Sequence, residues 1–129
     1  MVARAIIDEF LALKALAVVG VSRSGGGYGN VVRKDLAAKG RTVFVVHPEA
    51  EAIDGQPCAH SLQEIAGKVD GMVLVTPPDA TLELVREAAI VGIRRVWMQP
   101  GAESAEAIQF CEQNGLTVVH DHCILNLAE

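Results

Sequence analysis

Ala15-Leu16-Ala17-Val18-Val19-Gly20-Val21-Ser22-Arg23-Ser24-Gly25-Gly26-Gly27-Tyr28-Gly29-Asn30 carries an unbroken apolar run straight into a glycine-rich turn. An apolar run of this length, with no polar alternation, reads as a strand covered on both faces. Glycines beyond its tip permit positive φ and close backbone approach. A helix starting there leaves its first N–H groups unpaired and presents partial positive charge to an anion. The junction therefore predicts a parallel sheet with a phosphate-bearing, nucleotide-type ligand at its edge.

Working outward, four more apolar runs follow, Thr42-Val46, Gly71-Val75, Arg95-Met98 and Thr117-Val119, and the first strand is read as Leu16-Gly20. Amphipathic segments separate them at Ala3-Leu13, Asn30-Lys39, Ser61-Ala66 (a weak signal), Ala80-Val91 and Ser104-Gln113. Asp79 is placed to cap the fourth of these helices, and Gly40, Gly92 and Gly115 each stand between a helical run and a strand, where a left-handed C-terminal glycine belongs. Strands alternating with helices predict an α/β fold. The expectation is a single Rossmann-like domain with a five-stranded parallel sheet, order 3-2-1-4-5, and helices on both faces. Ligands in such sheets sit beyond the carboxyl ends of the strands, where the strand order reverses. That gathers Gly20-Asn30, His47-Pro48, Thr76-Pro77-Pro78 and Gln99-Pro100-Gly101 around one crevice.

Composition bounds the partners. The chain has 129 residues, half of them hydrophobic and 21% charged, which fits one domain over 1–129, with an N-terminal helix in 1–13 and a core in 14–124. A formal net charge of −5 argues against a nucleic-acid surface, which needs clustered Lys and Arg. No apolar stretch approaches the roughly 18 residues that span a bilayer. Met1-Leu13 carries Asp8 and Glu9 in place of a signal peptide's pattern, so the expected location is the cytoplasm. Cys58, Cys111 and Cys123 have neither the number nor the spacing of a disulfide framework or a zinc site.

The turn reads Gly20-Val21-Ser22-Arg23-Ser24-Gly25, a relaxed dinucleotide fingerprint with Ser22 in the middle glycine's place. An NAD site would put a carboxylate at the tip of the second strand to accept from the ribose hydroxyls. That strand ends Val45-Val46-His47-Pro48 instead. His47 and Arg23 suit a phosphate on the ribose, either that of NADP or the 3′-phosphate of coenzyme A.

Five segments together resemble the small single-domain CoA-binding protein family, which is Rossmann-like and related to the CoA-binding domain of the succinyl-CoA ligase α-subunit. They are Val18-Val19-Gly20-Val21-Ser22 with Tyr28, Val45-Val46-His47-Pro48, Ala59-His60-Ser61-Leu62, Val96-Trp97-Met98-Gln99-Pro100-Gly101 and Val118-Val119-His120-Asp121-His122-Cys123. The resemblance implies that Ser22, Arg23, Ser24 and Gly25 wrap a pyrophosphate, that His47 and Pro48 flank adenosine, and that Thr76, Pro77 and Gln99 border the pantetheine path. With Gly20, Val21, Tyr28, Gly29 and Asn30 these make the expected ligand-binding set. Two departures stand out: the family commonly has Asn-Pro where this chain has His47-Pro48, and Pro-Ser where it has Gly26-Gly27.

Candidate chemistry is sparse. Cys123 lies beside two histidines that would favour its thiolate. His120 and His122, two apart, would share a strand face, but no further metal ligands accompany them. Cys111 reads as core, Cys58 as a loop thiol without an activating partner, and Trp97 and Met98 as packing. No Walker A sequence, nucleophile elbow or paired catalytic carboxylates occur. The expected function is non-catalytic binding of coenzyme A or an acyl-CoA, with no catalytic or metal-ligating residues, no nucleic acid and no membrane. The alternative is a small NAD(P)-binding oxidoreductase or redox sensor.

Overall fold

A computed structural model describes residues 2–129. The elements are α1 (Arg4–Leu11), β1 (Ala15–Val19), α2 (Tyr28–Ala38), β2 (Thr42–Val46), β3 (Ala52–Ile53), β4 (Gln56–Ala59), a 3-10 turn (Leu62–Ile65), β5 (Gly71–Leu74), α3 (Pro78–Val91), β6 (Arg95–Met98), α4 (Ala105–Gln113), β7 (Thr117–Val119) and α5 (Ile124–Leu127). The α/β class and the helices on both faces are as expected. Side chains alternate along each strand, so Ala17, Met72, Leu74, Val96 and Met98 pack under α3 and α4, and Leu16, Val18, Val73 and Trp97 pack under α1, α2 and α5.

The sheet corrects the expected topology in two ways. It has seven strands, not five, and its order is β3-β4-β2-β1-β5-β6-β7. All pairs are parallel except β3 with β4. The five expected strands are β1, β2, β5, β6 and β7, so in their terms the order is 2-1-3-4-5. The strand Gly71–Leu74 lies beside β1 rather than outside β2, and β4 takes β2's outer edge. Burial gives the reason. All four residues of β5 are buried, as a central strand requires, whereas β2 begins exposed and half-buried as a strand near an edge can.

The added strands form a hairpin. Ile53 pairs with Gln56 across the two-residue turn Asp54-Gly55, both at positive φ. An Asp-Gly pair between short strands is a strong hairpin signal. Pro57, which cannot donate to a ladder, fits so short and peripheral a strand.

Smaller differences have local causes. Helix α2 begins at Tyr28, two residues early, and the weak segment Ser61-Ala66 forms only a 3-10 turn. Pro77 rather than Asp79 is the residue before α3, with Pro78 at its start and Asp79 inside the first turn. Ser104 caps α4 by accepting from the Ala107 N–H, and Gly92 closes α3 in the left-handed conformation. Helix α1 is anchored by Phe10, whose ring centroid lies 5.4 Å from that of Trp97, and by a 2.6 Å ion pair between Arg95 and Glu9.

Candidate functional site

Two glycines decide how the β1–α2 junction closes. Gly20 has φ +106, and a Cβ there would overlap the Val75 carbonyl, so only glycine lets β1 turn past the end of β5. A Cβ on Gly29 would overlap the Gly20 carbonyl, so this first-turn glycine lets α2 dock onto the strand tip. These are the roles of the first and third glycines in a dinucleotide fingerprint.

Between them the loop is held by its own hydroxyls and by one buried amide. The Ser22 and Ser24 hydroxyls are 2.9 Å apart, Ser24 N–H donates to Ser22 Oγ, and Gly26 N–H donates to Ser24 Oγ. Asn30, 1% exposed, donates from Nδ2 to the Ser22 and Gly26 carbonyls at 3.0 and 2.6 Å. Its Oδ1 accepts from Arg33 Nε at 2.6 Å. Arg33, 8% exposed, in turn pairs with Asp54 at 2.8 Å. Asp54 belongs to the hairpin turn, so the unforeseen strands brace the loop. The Ser22, Gly26 and Gly27 carbonyls are occupied, and the first N–H groups of α2, as at any helix start, have no intrahelical partners. Arg23 is exposed and lies 3.7 Å from Glu49.

With β1 and β5 adjacent, the strand order reverses between them. A cavity of about 550 Å³ opens there, lined by Val19, Gly20, Val21, Val46, His47, Pro48, His60, Ser61, Leu62, Thr76, Ala80, Glu83, Leu84 and Glu87. Its walls are mostly apolar, and several of its polar members are held by hydrogen bonds. His47 Nδ1 accepts from the Glu49 and Ala50 N–H groups at 3.0 and 2.9 Å, so the ring proton sits on Nε2 and His47 offers a donor. The Thr81 hydroxyl donates to the Pro77 carbonyl and so accepts from Thr76 at 2.7 Å, leaving Thr76 an acceptor only. Glu87 accepts from the Leu62 N–H and Glu64 from the His60 N–H.

The expected single crevice is thus two regions on either side of the loop. Gly20, Val21, His47, Pro48 and Thr76 line the cavity, and Pro77 leads into α3 beside it. Ser22, Arg23, Ser24, Gly25, Gly29 and Asn30 form the loop and its support. Gln99 and Tyr28 lie on the other side. Gln99 ends β6, one strand further from the reversal than the expected order placed it, and is wholly buried. Its Nε2 donates to Tyr28 Oη at 2.9 Å and approaches Cys123 Sγ at 3.4 Å, and its Oε1 accepts from the Ile124 N–H at 2.8 Å. His60, Ser61, Leu62, Glu83 and Glu87 were missed as cavity residues. The Ala59-His60-Ser61-Leu62 segment gave a sequence signal for three of them, but the carboxylates on α3 read as a solvated helix face.

The three thiols differ. Burial pushes Cys111 up to about 12. Cys58 is raised too, chiefly by burial. Burial also acts upward on Cys123, but hydrogen bonds from Tyr28, Gln99 and the Leu125 and Asn126 N–H groups outweigh it, and the thiol lies below its ordinary value. His120 Nδ1 sits 2.6 Å from Asp121 Oδ2. Among the described residues no group of three or more His, Cys, Asp or Glu could hold a metal ion, and no helix is long and apolar enough to cross a membrane.

Comparison with known proteins adds an independent line. Residues 14–129 match the family described as CoA binding domain. The ADP-forming acetate–CoA ligase I of Archaeoglobus fulgidus is 31% identical over an alignment of 121 residues that covers 86% of this chain and 18% of the ligase. The chain therefore spans about a fifth of that curated relative. Among solved structures, a conserved hypothetical protein from Pyrococcus furiosus is 38% identical with a TM-score of 0.83, covering 88% of this chain and 97% of that one. A hypothetical protein from Pyrococcus horikoshii OT3 is 30% identical with a TM-score of 0.85, covering 95% and 86%.

Proposed function

The chain belongs to the CoA-binding domain family, and from that premise we propose that it binds coenzyme A or an acyl-CoA, without turning it over, across the glycine-rich loop and the cavity beside it. The observation that carries this reading is the loop itself. Asn30 ties back its Ser22 and Gly26 carbonyls, and the strand tip that leads into it, Val19-Gly20-Val21, lines an apolar cavity at the reversal of strand order. The pyrophosphate would take the loop and Arg23, the base and ribose the cavity beside His47 and Pro48, and the pantetheine arm the strand ends near Thr76 and Pro77.

Two features favour coenzyme A over NAD. The tip of β2 offers a donor, His47 Nε2–H, in place of the carboxylate that accepts from an NAD ribose. The glycine-rich turn also carries Ser22 in the place of the dinucleotide fingerprint's middle glycine.

Calorimetric titration of the reduced protein with CoA, acetyl-CoA, NAD and NADP in one buffer tests the reading. Saturable binding of the CoA compounds is expected, weakened about tenfold by Arg23→Ala, the loss of one charge-assisted phosphate contact. Binding of NAD or NADP with no CoA signal would replace it with the oxidoreductase reading, and silence toward all four would leave the cavity without a nucleotide role.

A further inference from the structure

Cys123, Tyr28 and Gln99 come from three distant segments and meet at the far side of the loop. Their hydrogen bonds have a fixed direction. Ile124 N–H donates to Gln99 Oε1 at 2.8 Å, which settles the orientation of the amide, so Nε2 is the group that faces Tyr28 and Cys123. One Nε2 proton goes to Tyr28 Oη at 2.9 Å. With its oxygen accepting there, the Tyr28 hydroxyl has its proton to give to Cys123 Sγ at 3.0 Å. Gln99 Nε2 itself stands 3.4 Å from the sulfur. As a thiolate the sulfur accepts from both donors, an arrangement that favours thiolate over thiol. Gln99 is fully buried and cannot turn away, whereas Tyr28 is 43% exposed and Cys123 partly exposed, so the cluster lies at the surface.

We propose that Cys123 is a thiol–disulfide exchange site that takes low-molecular-weight disulfides. The Cys123 thiolate attacks one sulfur of R–S–S–R. A bond forms between Sγ and that sulfur, the original S–S bond breaks, and R–S⁻ leaves with the electron pair and takes a proton from water. The small disulfide is the oxidant, and Cys123 is oxidised once per chain, stoichiometrically. Tyr28 and Gln99 hold the attacking sulfur in its charged form.

The directions of the acidity shifts agree with this geometry. Cys123 is lowered and Tyr28 raised, the latter chiefly by burial and then by its bond to the sulfur, so of the pair the thiol gives up its proton first. The other two cysteines serve as controls within the same chain, because both are raised.

The test treats the reduced full-length chain with oxidised glutathione under native conditions and follows the adduct by intact mass and peptide mapping. The expected result is one added glutathione, on Cys123, formed at least about tenfold faster than at Cys58, with Cys111 unmodified. Tyr28→Phe, a change at an exposed ring, should slow the Cys123 reaction several-fold and reduce the ultraviolet absorbance of the thiolate, leaving the Cys58 rate alone. Equal rates at Cys58 and Cys123, or no adduct at Cys123, would overturn the proposal in the unaltered protein. So would a folded Tyr28→Phe chain with the same Cys123 rate and thiolate absorbance. Oxidised glutathione lacks the adenosine moiety, so the outcome does not depend on whether the chain binds coenzyme A.

Discussion

The glycine-rich loop has unlike neighbours on its two sides. Toward α3 it borders a cavity of about 550 Å³ with mostly apolar walls, where His47 and Glu87 are tied to backbone and Thr76 to Thr81. Toward α5 it runs into Tyr28, and from there into side-chain hydrogen bonds that end on a sulfur. The first side offers room and fixed donors and acceptors, which suits holding a ligand. The second offers a polarised nucleophile, which suits a bond-making step. One loop, braced by Asn30, serves both, so binding and reactivity can be separated by changing one side at a time or lost together by changing the loop.

The largest effect is expected where the two sides meet. Gly20→Ala puts a methyl into the Val75 carbonyl at a φ of +106, so it should cost roughly 3 kcal/mol or more, read as a fall in the denaturant midpoint, and abolish both ligand binding and selective Cys123 modification.

The contrast between buried and polarised thiols gives the next. Cys111 stands at about 12 against an ordinary 9.0, so the fold's preference for its neutral thiol is complete below pH 9 and is lost as pH rises toward 12. Up to about 4 kcal/mol is at stake. Denaturant midpoints taken across that window should fall less in Cys111→Ala than in the native chain. Cys123 has the opposite sign: its contribution is present above the ordinary thiol value and declines as pH drops toward its lowered one.

Asn30→Ala removes three hydrogen bonds at a buried position and frees the loop carbonyls. A loss of about 2 kcal/mol in chemical denaturation is expected, with weakened CoA binding. The smallest and most selective change is His47→Leu, which should weaken CoA binding about tenfold in calorimetry, leaving the Cys123 modification rate untouched. If His47→Leu altered that rate, the two sides would be one site.

How much of this was legible follows from which forces are local. The apolar runs and the helix-ending glycines lie within a few residues of what they specify, and the five strands and the long helices around them match the expectation in kind, whereas Ser61-Ala66 forms only a 3-10 turn. The order of the strands was not, because it depends on which edge of β1 is better buried, a property of the finished sheet. The Asp54-Gly55 turn was readable and was passed over because Gln56-Pro57-Cys58-Ala59 is a poor strand by composition. In the site, the close-packing glycines follow from the fingerprint. That Gln99 supports Tyr28 and Cys123 rather than lining the cavity follows only from the true strand order, and no spacing rule links residues 28, 99 and 123. Cys123 was singled out for its neighbouring histidines, yet the groups that polarise it are Tyr28 and Gln99.

Gln99 has one more consequence. Its amide joins the start of α2 to the first residue of α5 through the middle of the molecule, so peeling away the last residues would strand a buried amide with no water to replace its partners. The carboxyl-terminal segment is thereby drawn into the cooperative unit of the domain instead of fraying as chain ends usually do.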